Sequence, residues 1–167
     1  MVGVLANLAS TVSASFIIEG TPIYLYGQLA AAYSVGMWVY ESSAGVFTII
    51  DSDTAATLIS QPMCVGYKER ILSTGAASTI DTVYATTDTG VPILIGFVDG
   101  EGIFVAKIED PGGDIQRGNE FIVSSTTAGE IHLQNATELA AGDPNYHITN
   151  NGYVADTSTF MEARWKA

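Results

Sequence analysis

The chain is built from short runs of Val, Ile, Phe and Tyr, cut about every 8 to 12 residues by Gly, Asn, Asp, Ser or Pro. That rhythm suits β-strands and tight turns, because β-branched and aromatic side chains fit a pleated surface and the small polar ones fit reversals. Residues 23–26, 35–40 and 45–50 predict strands, the last two joined by Glu41-Ser42-Ser43-Ala44, a loop of hairpin length. Residues 63–72 and 80–86 predict two more, and residues 54–60 predict one helical turn capped by Asp53. Residues 91–98 and 102–108 flank Asp99-Gly100-Glu101, a spacing that predicts a hairpin, with Pro92 at a strand start where a missing N–H does least harm. Residues 121–123 and 130–133 flank Thr126-Thr127-Ala128-Gly129, which predicts a second hairpin. Residues 146–148 and 153–155 flank Asn150-Asn151-Gly152, a third, with Asn-Gly supplying positive φ. Met161, Ala163 and Trp165 alternate with Glu162, Arg164 and Lys166, as in a last strand with one apolar and one charged side.

About ten short strands at such spacing predict an all-β fold, a single-domain β-sandwich or small β-barrel with a partly extended N-terminal arm. A chain of 167 residues buries roughly 70% of its unfolded surface, so one core needs neither disulfide nor metal. The expected division is residues 1–18 as arm or first core element and 19–167 as the β-rich domain. The small polar stretch at residues 73–78 marks where two lesser modules would join. Residues 1–18 contain no charge and place Val4, Leu5, Leu8, Val12 and Phe16 at near-helical spacing. This segment either orders on another subunit or packs on its own core. Without a basic start, and interrupted by Asn7, Ser10, Thr11 and Ser13, it does not read as a secretory signal, so synthesis without processing in a cytoplasm is expected. No apolar run reaches the roughly 18 residues of a membrane span.

Eighteen acidic residues against six basic ones give a formal charge of −12 and a pI near 4.2. Phosphate neutralisation requires clustered Lys and Arg, and here only Arg164 and Lys166 sit close together, so nucleic acid is not an expected partner. Cys64 stands alone, which excludes a disulfide framework and fits a small buried apolar residue; a nucleophile would need His132 or His147 beside it. Asp51 with Asp53, Asp99 with Glu101, and Asp110 with Asp114 are carboxylate pairs in turns, without the spacing of a calcium loop or the convergence of a glycosidase pair. The two histidines fall in separate hairpins with no third ligand. No phosphate loop, nucleophile elbow or zinc-protease motif occurs. Catalytic residues, metal and cofactor are all expected to be absent. The aromatics are the remaining candidates. Tyr24 and Tyr26 share one strand face, as do Trp38 and Tyr40, and with Tyr33 they read as core, as a subunit interface, or as a platform for stacking sugars.

One region carries a family likeness. Lys107-Ile108-Glu109, residues 113–120 (Gly-Asp-Ile-Gln-Arg-Gly-Asn-Glu), Gly129 and residues 140–144 (Ala-Ala-Gly-Asp-Pro) together resemble the turn pattern of the small β-barrel capsid decoration, or cement, proteins of tailed bacteriophages. The resemblance implies a non-enzymatic virion protein on the outer capsid surface, commonly a homotrimer, that clamps neighbouring capsomers. Its partners would be the major capsid protein and copies of itself. An outside position suits the charge, since packaged DNA would repel a −12 subunit. The arm and the aromatic strands would then make the contacts, and deleting residues 1–18 should abolish assembly while leaving the fold intact. The rival reading is a carbohydrate-binding or adhesion module of a fibre or surface assembly; a hydrolase with a spatially assembled carboxylate pair comes third.

Overall fold

Period-two alternation decides how this chain divides its apolar side chains between two layers. The computed structural model describes residues 17–51, 62–108, 116–123, 127–133, 148–150 and 160–165. Among them run β1 (Ile17–Glu19), β2 (Pro22–Leu29), β3 (Tyr33–Ser34), β4 (Trp38–Ser43), β5 (Val46–Ile49), β6 (Met63–Val65) and β7 (Val83–Tyr84). They continue as β8 (Val91–Phe97), β9 (Ile103–Lys107), β10 (Glu120–Val123), β11 (Ile131–Leu133), β12 (Ile148–Asn150) and β13 (Phe160–Trp165). The fold is all-β: a closed barrel in the order β2-β5-β4-β6-β8, a six-stranded sheet in the order β1-β9-β13-β12-β10-β11, and a small β3-β7 pair.

Successive side chains of a strand point to opposite faces, and the barrel uses both. Val39, Met63, Val65, Val91 and Ile93 form one buried cluster with Leu29, Phe47 and Tyr84. The neighbouring positions Trp38, Cys64 and Leu94 belong to a second cluster, shared with Phe104, Ala106, Met161 and Ala163 of the six-stranded sheet. One row thus fills the barrel, and the row out of phase with it bonds the barrel to the second sheet.

The two layers are also joined covalently, at a corner. β2 pairs antiparallel with β8, and β1, which precedes β2, pairs antiparallel with β9, which follows β8. The four strands form one two-stranded ribbon that leaves the barrel and enters the sheet, with Val98 N–H donating to the Thr21 carbonyl at 3.0 Å in the bend. Close approach makes the bend possible. A Cβ on Gly102 would lie 2.0 Å from Phe97 Cγ, and one on Gly20 would lie 2.7 Å from the Gly102 Cα.

That corner corrects the expected hairpin at Asp99-Gly100-Glu101. The turn forms, with Glu101 N–H donating to Asp99 Oδ1 at 3.1 Å, but β8 and β9 do not pair with each other. Each pairs instead with half of the β1–β2 segment, so the turn carries the chain from one sheet to the other. The hairpin of β10 and β11 does form, with Phe121 opposite Leu133 and Val123 opposite Ile131. Its Gly129 is stitched into the barrel end, donating to the Ile50 carbonyl at 2.8 Å while its own carbonyl accepts from Trp38 N–H at 3.0 Å.

Other expected elements are shorter. The strand expected from residue 35 begins at Trp38, after Gly36 takes φ of 90° and Met37 N–H turns back to the Ser34 carbonyl. The strands expected at 63–72 and 80–86 reduce to β6 and β7, because side chains capture the intervening backbone. Arg70 N–H donates to Ser78 Oγ at 3.0 Å, and Ser78 Oγ donates to the Lys68 carbonyl at 3.1 Å. The barrel strands on either side of residues 73–78, β6 and β8, pair directly with each other. β13 lacks the expected charged outer side at one position: Glu162 is 1% exposed, as covered as Met161 and Ala163. The boundary drawn at residue 18 falls inside β1, where Ile17 stands opposite Phe104. Residues 54–60, and the third hairpin beyond Asn150, lie outside the described residues.

Candidate functional site

The aromatic strands do not form one surface. Trp38 is 0% exposed, sits edge-on to Trp165 at 4.9 Å and 86°, and tilts against Phe104 at 5.9 Å. Tyr40, two residues on, shares that inward face and packs partly buried on the same cluster. A side chain with no solvent exposure cannot stack on a ligand, so of the readings open to Trp38 only core packing remains, while Tyr40 keeps part of its surface. Period two placed both on one face; it could not say that the face meets a second sheet.

Tyr24 and Tyr26 differ. Their rings lie 6.4 Å apart on the outer side of β2, and Tyr26 is 55% exposed. Tyr24 is half-buried and donates its hydroxyl to the Tyr67 carbonyl at 3.2 Å; burial raises its phenol pKa far above the ordinary value. Lys68 Nζ donates to Tyr26 Oη at 2.9 Å and lies 6.0 and 5.6 Å from the Tyr24 and Tyr26 ring centres, within cation–π range. On the same strand Ile23 and Leu25 are 39% and 42% exposed. No residue from Gly20 to Tyr40 carries a charge, although the chain as a whole is strongly acidic. The exposed part of β2 is therefore an aromatic and aliphatic strip whose own residues are uncharged and which carries one cation, Lys68, on its tyrosines; it suits protein contact better than chemistry. The arm candidates Val4, Leu5, Leu8, Val12 and Phe16 lie outside the described residues.

The reactive groups have structural partners. Cys64 is fully buried between Trp38 and Leu94, its pairing neighbours, and burial pushes its thiol far above the ordinary range. Among the described residues no three His, Cys, Asp or Glu side chains converge as a metal site would require, and no helix is long and apolar enough to cross a membrane.

Asp88 escaped sequence reasoning. It is buried in the loop between β7 and β8, where Oδ1 accepts from Ser73 N–H and Oδ2 from Ala85 N–H, both at 2.7 Å. Burial raises its pKa, but the Ser73 and Ala85 amides, the Ser73 hydroxyl and the Arg70 charge outweigh burial and hold the carboxyl below its ordinary value. The Arg70 guanidinium in turn donates to the Thr89 and Gly90 carbonyls. The only signal for this staple was a turn-forming Thr-Asp-Thr-Gly string at residues 87–90.

No protein-family model matches the chain. No curated protein matches it either. Among solved structures it is similar to a chain of "The capsid of Myoviridae Phage XM1", at 12% identity and a TM-score of 0.50, over 90% of this chain and 88% of that one. At this identity the likeness is one of fold.

Proposed function

We propose that this chain is a structural, non-enzymatic protein of a bacteriophage virion, one that decorates the outside of a capsid shell and stabilises it by non-covalent contacts between capsomers. The observation that carries the reading is the fold shared with a phage capsid chain over 90% of the length. Three features support it. A formal charge of −12 favours a position away from packaged DNA. The exposed strip of Ile23, Leu25 and Tyr26 offers a largely apolar surface for a neighbouring protein. One buried cluster unites the barrel and the second sheet, as a clamp needs if load on one layer is to be held by the other.

The partners in this reading are the major capsid protein and further copies of the chain, as a homotrimer. Contacts come from the arm residues Val4, Leu5, Leu8, Val12 and Phe16 and from Tyr24 and Tyr26. Multivalency at symmetric sites lets each contact be modest. The adhesion reading keeps Tyr24, Tyr26 and the partly buried Tyr40, since of the four only Trp38 is fully buried.

The test is to purify virions containing the chain, strip it with mild chaotrope, and follow shell rupture on heating before and after adding the pure protein back. Stripped shells should rupture at lower temperature, recover on add-back, and show the chain as external density by electron cryomicroscopy. Absence from purified virions, or location inside the shell, would sink the reading.

A further inference from the structure

Along β2 the direction of each backbone group can be assigned from its neighbours. Tyr26 stands opposite Pro92 in the antiparallel pair with β8. Pro92 has no N–H, and its carbonyl accepts from Gly66 N–H at 2.8 Å, on the side away from β2. Opposed residues of an antiparallel pair either exchange hydrogen bonds or both turn away, so the Tyr26 N–H and C=O point away from β8. The next even positions agree: Gln28 N–H donates to the Gly45 carbonyl and Ala30 N–H to the Phe47 carbonyl, each at 2.9 Å.

β5 runs parallel to β2 and meets it only at Gln28 and Leu29, opposite Val46 and Phe47. Upstream of Gln28, no described strand lies on that side of β2. Tyr24 and Tyr26 therefore present backbone donors and acceptors along an open edge. The side chains follow suit. The row that is buried at Leu29, and that at Gly27 presses against Phe47, emerges into solvent at Leu25 where β5 ends. Sheet edges of this kind are normally guarded by charge; residues 20–40 carry none, and Lys68, the cation beside them, is held on the Tyr26 hydroxyl.

We propose that this edge is an acceptor site, and that its occupant is the segment formed by residues 1–16 of a second copy of the chain, added as a further strand. Copies bearing −12 each repel one another, and a segment that joins them without adding to that repulsion suits the site; residues 1–18 have no charge. Their sequence also alternates at its end: Val12, Ala14 and Phe16 fall on even positions and Thr11, Ser13 and Ser15 on odd ones, whereas upstream Leu5, Ala9 and Ser10 break the pattern. As a strand, residues 11–16 would have one apolar row to lay beside Leu25 and one polar row for solvent. Its reach is sufficient. Sixteen residues precede Ile17 and extend to about 53 Å, against about 40 Å for the diameter of a compact chain of this size. The proposal needs no capsid, so it stands or falls apart from the virion reading.

The test uses full-length chains bearing one added cysteine each, with different affinity tags. Val4→Cys protein is mixed with Ile23→Cys protein under mild oxidant, and Ala44→Cys, on the exposed β4–β5 loop, serves as the collision control. Natural Cys64 is buried and does not interfere. The mixed disulfide with Ile23→Cys should exceed the control at least about tenfold, as docking raises the effective concentration. Leu25→Glu and Tyr26→Pro, which charge the apolar row and remove the edge N–H, should each bring the yield down to the control and lower the sedimentation mass. Circular dichroism establishes that these variants remain folded, and Leu25→Glu alone carries the test if the proline variant does not. A double variant, Val4→Cys with Ile23→Cys, that closes within a monomer would overturn the second-copy occupant. Yields equal to the control would overturn the edge as a site.

Discussion

Replacing Gly102 by Ala tests the corner through which barrel and sheet are joined. The added methyl would lie 2.0 Å from Phe97 Cγ and 2.1 Å from Cδ1, far inside contact distance, so the Phe97 ring must leave its place. That ring is 5% exposed and packs 6.1 Å from Phe104 in the cluster common to both layers. Expelling a buried Phe forfeits about 1.5–3 kcal/mol of burial, and losing its aromatic contact adds about 0.5–1.5 kcal/mol. The expected cost of Gly102→Ala is thus about 2–4 kcal/mol. For a chain of this length the melting temperature should fall by roughly 5–15 °C, read by calorimetry or circular dichroism. A double-mutant cycle sharpens the point. Phe97→Ala alone should cost about 3–5 kcal/mol by leaving a cavity, and adding Gly102→Ala to it should cost little more, because the obstructing ring is gone. A loss below about 1 kcal/mol for the single change, or simple additivity in the double, would refute this account of the bend.

Asp88→Ala should cost about 1–2 kcal/mol in urea unfolding at neutral pH, since two part-buried amides lose a charged acceptor. The folded Asp88 titrates below its ordinary 3.8, so its contribution is complete above that value and is lost as acid protonates the folded carboxyl; the wild type should weaken on acidification below about pH 4, and Asp88→Ala less steeply. Cys64 should be inert to a thiol-reactive dye at pH 8 and react only as denaturant unfolds the chain; rapid labelling of the native protein would contradict its placement. Lys107→Met should cost about 0.5 kcal/mol through its 3.0 Å pair with Glu130, with the difference shrinking in 1 M salt.

Strand positions were largely legible because alternation and turn residues are local signals. β2, β5, β8, β9 and the β10–β11 hairpin fall where runs of Val, Ile, Phe and Tyr place them. Pairing was not, since it depends on how β1–β2 and β8–β9 pass one another at Gly20 and Gly102, two glycines 82 positions apart whose contact no local pattern encodes. The same gap hid the fate of Trp38. An aromatic on an alternating strand looks identical whether its face meets water or another sheet, and only the arrival of Phe104 and Trp165 decides. Asp88 was illegible because the amides it holds, at Ser73 and Ala85, belong to different turns of an irregular loop. The charged side assigned to β13 failed at Glu162 for a related reason: alternation gives the two faces of a strand, not how much neighbouring structure lies over each.

The continuous ribbon has a mechanical consequence. Traction applied to the chain ahead of Ile17 acts along the axis of β1, so its links to β9 are loaded in shear, all at once, instead of being unzipped singly. Strain that survives this first grip passes around the bend into β2, whose ladder with β8 spans Pro22 to Gly27. A tether leaving at Ile17 is thus moored in series to two ladders, and detaching it means dismantling the junction of both layers rather than peeling away one short strand.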